Sequence, residues 1–175
     1  MKHDSPDQVD QILAQWQRVR PDVDVSPMGV VFRVKRLARA FERATARNFS
    51  RHGLEPAEFD LLATLRRTGE PYRMSAGALG RVLMITSGSV TNRVDGLEDR
   101  GLIRRADDPD DRRGVLVELT PKGLRMVDAA LEHHVETERG LLEGLTATQR
   151  RELADLLRRL LIALGDDIGA RAPLK

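Results

Sequence analysis

Two groups of residues in this chain are suited to gripping a polyanion and reading the edges of stacked bases. The first is Thr86, Ser87, Ser89, Thr91, Asn92 and Arg93, a dense polar run within one short stretch. Small hydroxyl side chains let a helix approach a duplex closely and bond to phosphates or base edges, whereas Asn and Arg make directional contacts to bases. The second is the pair Arg112-Arg113, set in the turn-rich stretch 107–114. A basic hairpin tip reaches a minor groove or flanking phosphates. The neighbouring Asp108, Asp110 and Asp111 are expected to shape the turn and orient the arginines. Alone, a Ser/Thr-rich helix start is usually a capped surface helix, and a pair of arginines is usually solvated. Their meaning comes from the elements that carry them.

Those elements are well punctuated. Ser75 caps a short helix with Leu79, Val82 and Leu83, and Thr86 caps a second with Val90, Val94 and Leu97, ended by Gly101. Only Met84-Ile85 lie between, which is the spacing of a helix-turn-helix. The hydrophobic period then changes, and Leu102–Arg105 and Val115–Leu119 read as two strands joined by the 107–114 hairpin. Helix, turn, helix and a two-stranded wing can place the N-terminal turns of the second helix in a major groove.

Further helices flank this unit. Ser5-Pro6, with Gln8, predicts a capped first helix carrying Val9, Ile12, Leu13 and Trp16 and ending before Pro21. Ser26-Pro27 opens a long helix from Met28 to about His52, stopped by Gly53, with Val30, Val31, Val34, Leu37, Ala38 and Phe41 as apolar positions. Pro56 opens a third helix with Phe59, Leu61, Leu62 and Leu65, ending at Gly69. Thr120-Pro121 starts a helix broken near Gly140 to Gly144. Thr146 caps a last helix that runs to about Asp167, and the tail from Gly169 to Lys175 is expected to be mobile. The leucines of the last helix (153, 156, 157, 160, 161 and 164) form a broader apolar face than one small lobe needs. Either it joins two copies of the chain, or it is a core helix of a single copy.

Composition narrows the function classes. With 175 residues, 41% hydrophobic and only 3% aromatic, the chain is expected to build a mostly helical core from Leu, Val, Ala and Ile. The absence of cysteine excludes disulfides, thiolate metal sites and thiol redox chemistry. The charges nearly balance, 29 basic against 27 acidic, so a surface for DNA must come from local segregation. There is no membrane-length apolar run and no signal-like N-terminus, so a soluble, cytoplasmic protein is expected. An enzyme is not expected, because no Gly-rich phosphate loop, metal-ligand spacing or nucleophile–base pattern is present. His133 and His134 are adjacent, and on a helix they point about 100° apart, which makes a poor ligand pair. His52 is expected to close its helix. No cofactor is expected.

The stretch Asp108-Pro109-Asp110-Asp111-Arg112-Arg113-Gly114, with Val115–Thr120, Pro121, Lys122 and Gly123, resembles the wing of MarR-family regulators, with its D-x-R core and L-T-x-x-G exit. Ile85–Val94 and Leu97–Ile103 match the same family, and the resemblance runs from about Met28 to Ile168. It implies a mainly α (α+β) fold: a winged helix-turn-helix with N- and C-terminal dimerisation helices. The expected layout is an extension helix and linker over 1–25 and a single body over 26–175. In that body 54–120 is the winged helix, and 26–53 and 121–168 are dimerisation helices. The implied protein is a homodimeric repressor on a pseudo-palindromic double-stranded DNA operator.

The segment before Met28 is not needed for a winged helix. With Arg20-Pro21-Asp22 and Ser26-Pro27-Met28, it resembles the urate-responsive branch of the family, which adds an N-terminal helix and uses a Trp, Asp, Arg, Arg set. The matching positions are Trp16, Asp60, Arg67 and Arg105. The resemblance implies that a small planar anion is held by Arg67 and stacked on Trp16, and that it repels Asp60. Arg105 would pass the shift on through a bond to Asp60. Asp60 and Arg67 lie seven residues apart, on one helix face. Three other readings stay open: a phenolic or aromatic carboxylate as the effector, a winged helix used only to bind protein, and a packing role for Trp16 with a surface ion pair at Asp60 and Arg67.

Overall fold

The computed structural model describes residues 5–108 and 114–166. In chain order the elements are α1 (Gln8–Val19), α2 (Ser26–Arg51), α3 (Pro56–Arg67), β1 (Arg73–Ser75), α4 (Ala76–Leu83), α5 (Ser87–Asp99), β2 (Ile103–Asp107), β3 (Val115–Leu119), α6 (Pro121–Leu141) and α7 (Ala147–Ala163). Arg112, Arg113 and the C-terminal tail lie outside the described residues. The chain divides into two compact units, Met1–Ala44 and Thr45–Lys175. The division falls inside α2.

In the first unit α1 folds back on the beginning of α2. Asp7 and Asp10 hold Arg33, Gln8 bonds Arg36, and Gly29 faces Leu13. Residues descend in α1 as they rise in α2, so the pair is antiparallel. The cap of α1 is Asp7, not Ser5. The Asp7 carboxylate accepts from the backbone of Val9 and Asp10, and the Asp10 side chain returns the bond to the Asp7 N–H. Asp7 wins because the same carboxylate also binds Arg33, 26 residues away.

In the second unit the core is built around α3. Leu61, Leu62 and Leu65 are fully buried together with Leu79 of α4, Leu97 of α5, and Leu102 and Ile103 at the start of β2. The helix starts and stops follow the expected chemistry. Ser75, Thr86, Thr120 and Thr146 each accept a backbone N–H as N-caps. Gly53, Gly69 and Gly101 adopt positive φ just beyond helix ends. The wing has a third strand that the sequence pattern did not indicate. The sheet order is β1-β3-β2, antiparallel throughout, with Arg73 opposite Glu118 and Arg105 opposite Val117.

The last helix adds no residue to the buried core of the second unit. None of its described residues is buried, and Leu156, Leu160, Leu161 and Leu164 are 49–81% exposed. The valines of α2 behave alike in the first unit: Val30, Val31 and Val34 are 43–58% exposed. No helix among the described residues is long and apolar enough to cross a membrane.

Candidate nucleic-acid interface and effector cavity

The second helix of the helix-turn-helix is α5. Its inward face is Val90, Val94 and Leu97, all nearly inaccessible, so the polar residues between them turn outward. Met84, in the left-handed conformation, ends α4 and lets the chain turn sharply into Thr86. Thr86 is committed to the cap, with its hydroxyl 3.3 Å from the Ser89 N–H and 2.9 Å from the Ser89 hydroxyl. The Thr91 hydroxyl donates to the Ser87 carbonyl. Ser87, Asn92 and Arg93 have no intramolecular side-chain partner among the described residues, so their polar groups are available to another molecule.

Arg81 of α4 was missed by sequence reasoning. It lines an open groove with Thr86, Ser87 and Thr91 and so shares the exposed surface of α5. Its signal was present: it is the one basic residue on α4, and it is exposed.

The wing is fastened to α5 by Arg105. Its guanidinium is bound by both Asp95 and Glu98, and its backbone N–H donates to Glu98 Oε1 at 2.9 Å. These hydrogen bonds, first to Asp95 and then to Glu98, hold the Arg105 guanidinium above the ordinary arginine range. The expected bond from Arg105 to Asp60 is not formed. Asp95 and Glu98 are three apart, on one face of the neighbouring helix, and they occupy the arginine first.

Asp60 and Arg67 do come together in one place. Both line a cavity of about 360 Å³ in the second unit, between α3, α4 and α6. Its apolar walls are Phe59, Ala63, Val82, Leu83, Val127 and Leu131, and Thr64, Arg66 and His134 complete it. The size lies in the range of small-molecule sites, about 300–1,000 Å³. Seven residues of helix separate the two charges by about 10 Å, so they mark opposite ends of the cavity. The two arginines differ. Arg66 is tied to Asp128 at 2.8 Å and covers the Tyr72 ring, and that carboxylate raises its basicity. Arg67 has only the neutral Thr64 hydroxyl at 3.0 Å. Asp60 has no hydrogen-bond or ion-pair partner among the described residues. Arg67 thus presents a cation with no carboxylate partner at one end of the cavity, where it can pair with an anionic group.

Trp16 lies on α1 in the first unit and is 43% exposed. Arg105 is not among the cavity residues. His134, by contrast, was not expected there. Its ring lies tilted against those of Phe49 and Phe59, with centres 5.0 and 5.3 Å away, while its neighbour His133 is exposed and meets His52.

Comparison with known proteins gives a consistent result. Residues 52–114 match the sequence model of the MarR family. The chain is 39% identical over 153 residues to the HTH-type transcriptional regulator PecS of Dickeya dadantii, covering 87% of this chain and 92% of that protein. Among solved structures it is similar to Sco3205, a MarR family transcriptional regulator from Streptomyces coelicolor in complex with DNA. The identity is 25%, the TM-score 0.72, and the coverage 83% of this chain and 96% of that one. It is also similar to Bordetella bronchiseptica BpsR, whose DNA binding is regulated by 6-hydroxynicotinic acid, at 26% identity and a TM-score of 0.65, covering 75% and 91% of the two chains.

Proposed function

This chain belongs to the MarR family of winged-helix transcriptional regulators, and we propose that it is a homodimeric repressor released from a pseudo-palindromic operator by a small planar anion, urate first. It acts in the cytoplasm, by binding and not by catalysis. The observation that carries the proposal is the cavity. It is walled on one side by Asp60 and Arg67 of α3 and on another by Val82 and Leu83, the last turn of α4 before the reading helix. A ligand anchored on Arg67 therefore presses directly on the helix that holds α5. Repulsion between the ligand anion and Asp60 favours a displaced arrangement, and release from DNA follows from that difference in affinity between two states. Arg105, bound to Asp95 and Glu98, then carries the wing along with α5.

The dimer is supported by the exposed leucines of α7 and the exposed valines of α2, apolar faces suited to burial against a second copy. In this reading Ser87, Asn92 and Arg93 face base edges, Thr86, Ser89 and Thr91 shape and support the helix, and Arg112 and Arg113 serve the wing tip. The relative regulated by 6-hydroxynicotinic acid favours a second ligand class, the planar aromatic carboxylates, for which Arg67 serves equally well.

The test is titration of the protein–operator complex with urate, 6-hydroxynicotinic acid and salicylate. Arg67→Ala should abolish the response to the active ligand and leave DNA affinity without ligand nearly unchanged. Asp60→Asn should keep ligand binding and blunt release, and Trp16→Phe tests whether the N-terminal unit takes part. An operator complex that survives excess urate removes urate. A normal response from Arg67→Ala removes the cavity.

A further inference from the structure

Residues 71–94, from the approach to β1 to the middle of α5, contain no Asp or Glu, and three arginines, Arg73, Arg81 and Arg93, fall within them. The chain has 27 acidic residues among 175, so at its average density about four would fall in this stretch. The near balance of charge over the whole chain thus conceals a segment whose only formal charges are positive. Arg93 is already placed on the face of α5. Arg81 has a setting of its own.

The groove between α4 and α5 has a volume of about 520 Å³. Gly77 and Gly80 keep its α4 wall low, Ser87 lines the α5 wall, and Met84 and Ile85 close it with apolar surface. Gly77 lies one turn before Arg81, and a Cβ there would stand 3.7 Å from Arg81 Nη1. The guanidinium therefore lies back along α4, over the bare backbone of the glycine. Arg81 is exposed and has no hydrogen-bond or ion-pair partner among the described residues. A held but unpaired guanidinium in an acid-free groove matches an anion that is itself part of an extended chain. We propose that this groove seats the sugar–phosphate backbone of one operator strand, with Arg81 holding a phosphate and Met84 and Ile85 against deoxyribose. The first helix of a helix-turn-helix crosses the backbone when the second enters the groove. This placement rests on α5 lying against DNA, but the role of Arg81 differs in kind. A phosphate contact fixes register and carries no sequence information.

Fluorescence anisotropy on the duplex upstream of the coding sequence and on a scrambled duplex, from about 50 to 200 mM salt, tests this. Arg81→Ala should weaken both complexes by the same factor, about tenfold, and lower the slope of log K against log salt by about 0.9. Arg81→Lys should restore most of the slope. Gly77→Glu keeps Arg81 but sets a carboxylate one turn before it, where the two pair on the helix surface. It should weaken DNA binding as Arg81→Ala does, with circular dichroism showing the fold intact. Arg39→Ala removes an exposed arginine of α2 and should change neither affinity nor slope. Unchanged affinity and slope in Arg81→Ala would overturn the proposal. So would a loss confined to the upstream duplex, which makes Arg81 a base contact, or an equal loss in Arg39→Ala, which reduces the effect to total charge. Loss of the effector response in Arg81→Ala with DNA binding intact would also overturn it, by making the groove the seat of the small anion. Equal affinity of the parent for both duplexes would sink sequence reading by α5 and leave the phosphate contact standing, provided that the slope still falls in Arg81→Ala.

Discussion

Replacing Gly123 with alanine tests how tightly the wing is set onto the body. Gly123 lies in the first turn of α6, and a Cβ added there stands 1.9 Å from the carbonyl oxygen of Leu102 and 2.9 Å from its carbon. Ordinary contact begins near 3.4 Å, so helix and strand must separate by about 1.5 Å. The carbonyl cannot yield cheaply. It accepts from both the backbone and the hydroxyl of Thr120, each at 3.1 Å, and Leu102 is fully buried. Overpacking costs about 1–3 kcal/mol, and loosening two hydrogen bonds adds roughly 1 kcal/mol each. A loss of about 3–5 kcal/mol is a large part of a typical stability of about 5–15 kcal/mol. For a chain of this size it lowers Tm by roughly 10 °C. Thermal unfolding followed by circular dichroism at fixed protein concentration reads this directly. A Tm within about 2 °C of the parent would mean that the close approach of α6 to β2 is wrong.

Three other outcomes follow from the same structure. Arg105→Ala removes partly exposed ion pairs, so stability should fall by less than about 1 kcal/mol, but the wing loses its hold on α5. Operator affinity, measured by fluorescence anisotropy, should fall by about tenfold; unchanged affinity would make the clamp irrelevant to DNA. Leu157→Glu with Leu161→Glu puts charge on the bare face of α7 and should give monomers or aggregates in sedimentation, whereas a well-folded dimer would place the interface elsewhere. In α1, the hydrogen bond to Arg33 holds the Asp7 carboxyl below its ordinary value of 3.8. Its contribution is therefore complete above that value and is lost as pH falls through the lower, folded-state pKa. Trp16 fluorescence should report acid loosening of α1 in the parent, with the corresponding step missing in Asp7→Asn; identical acid profiles would exclude the Asp7–Arg33 contact as the cause.

What could be read in the sequence was local. Ser75, Thr86, Thr120 and Thr146 announce helix starts by their own side-chain chemistry, and the glycines at 53, 69 and 101 announce the ends. The buried stripe of α5 was equally plain, because Val90, Val94 and Leu97 repeat at helical spacing. Strand β1 was not, since three residues, Arg73–Ser75, are too few to display alternation, and they become a strand only by pairing with β3. The choice between Ser5 and Asp7 as a cap was decided by Arg33, a partner no local pattern contains. In the cavity, the spacing of Asp60 and Arg67 revealed their shared face, but the inward turn of His134 depends on packing between Phe49 and Phe59. Arg105 was singled out in the sequence, but its partners were not legible there: the nearby acids Asp95 and Glu98 on α5 hold it, and not the more distant Asp60.

Sequence reading by α5 is tested most directly by a single comparison. The full-length chain is titrated onto a duplex spanning the region upstream of its own coding sequence and onto a scrambled duplex of the same length and composition, both at physiological salt. The proposed reading helix predicts a preference of about 10³-fold or more for the upstream duplex, largely lost in Asn92→Ala with Arg93→Ala. Equal affinity for both duplexes, or a preference untouched by those substitutions, would contradict it.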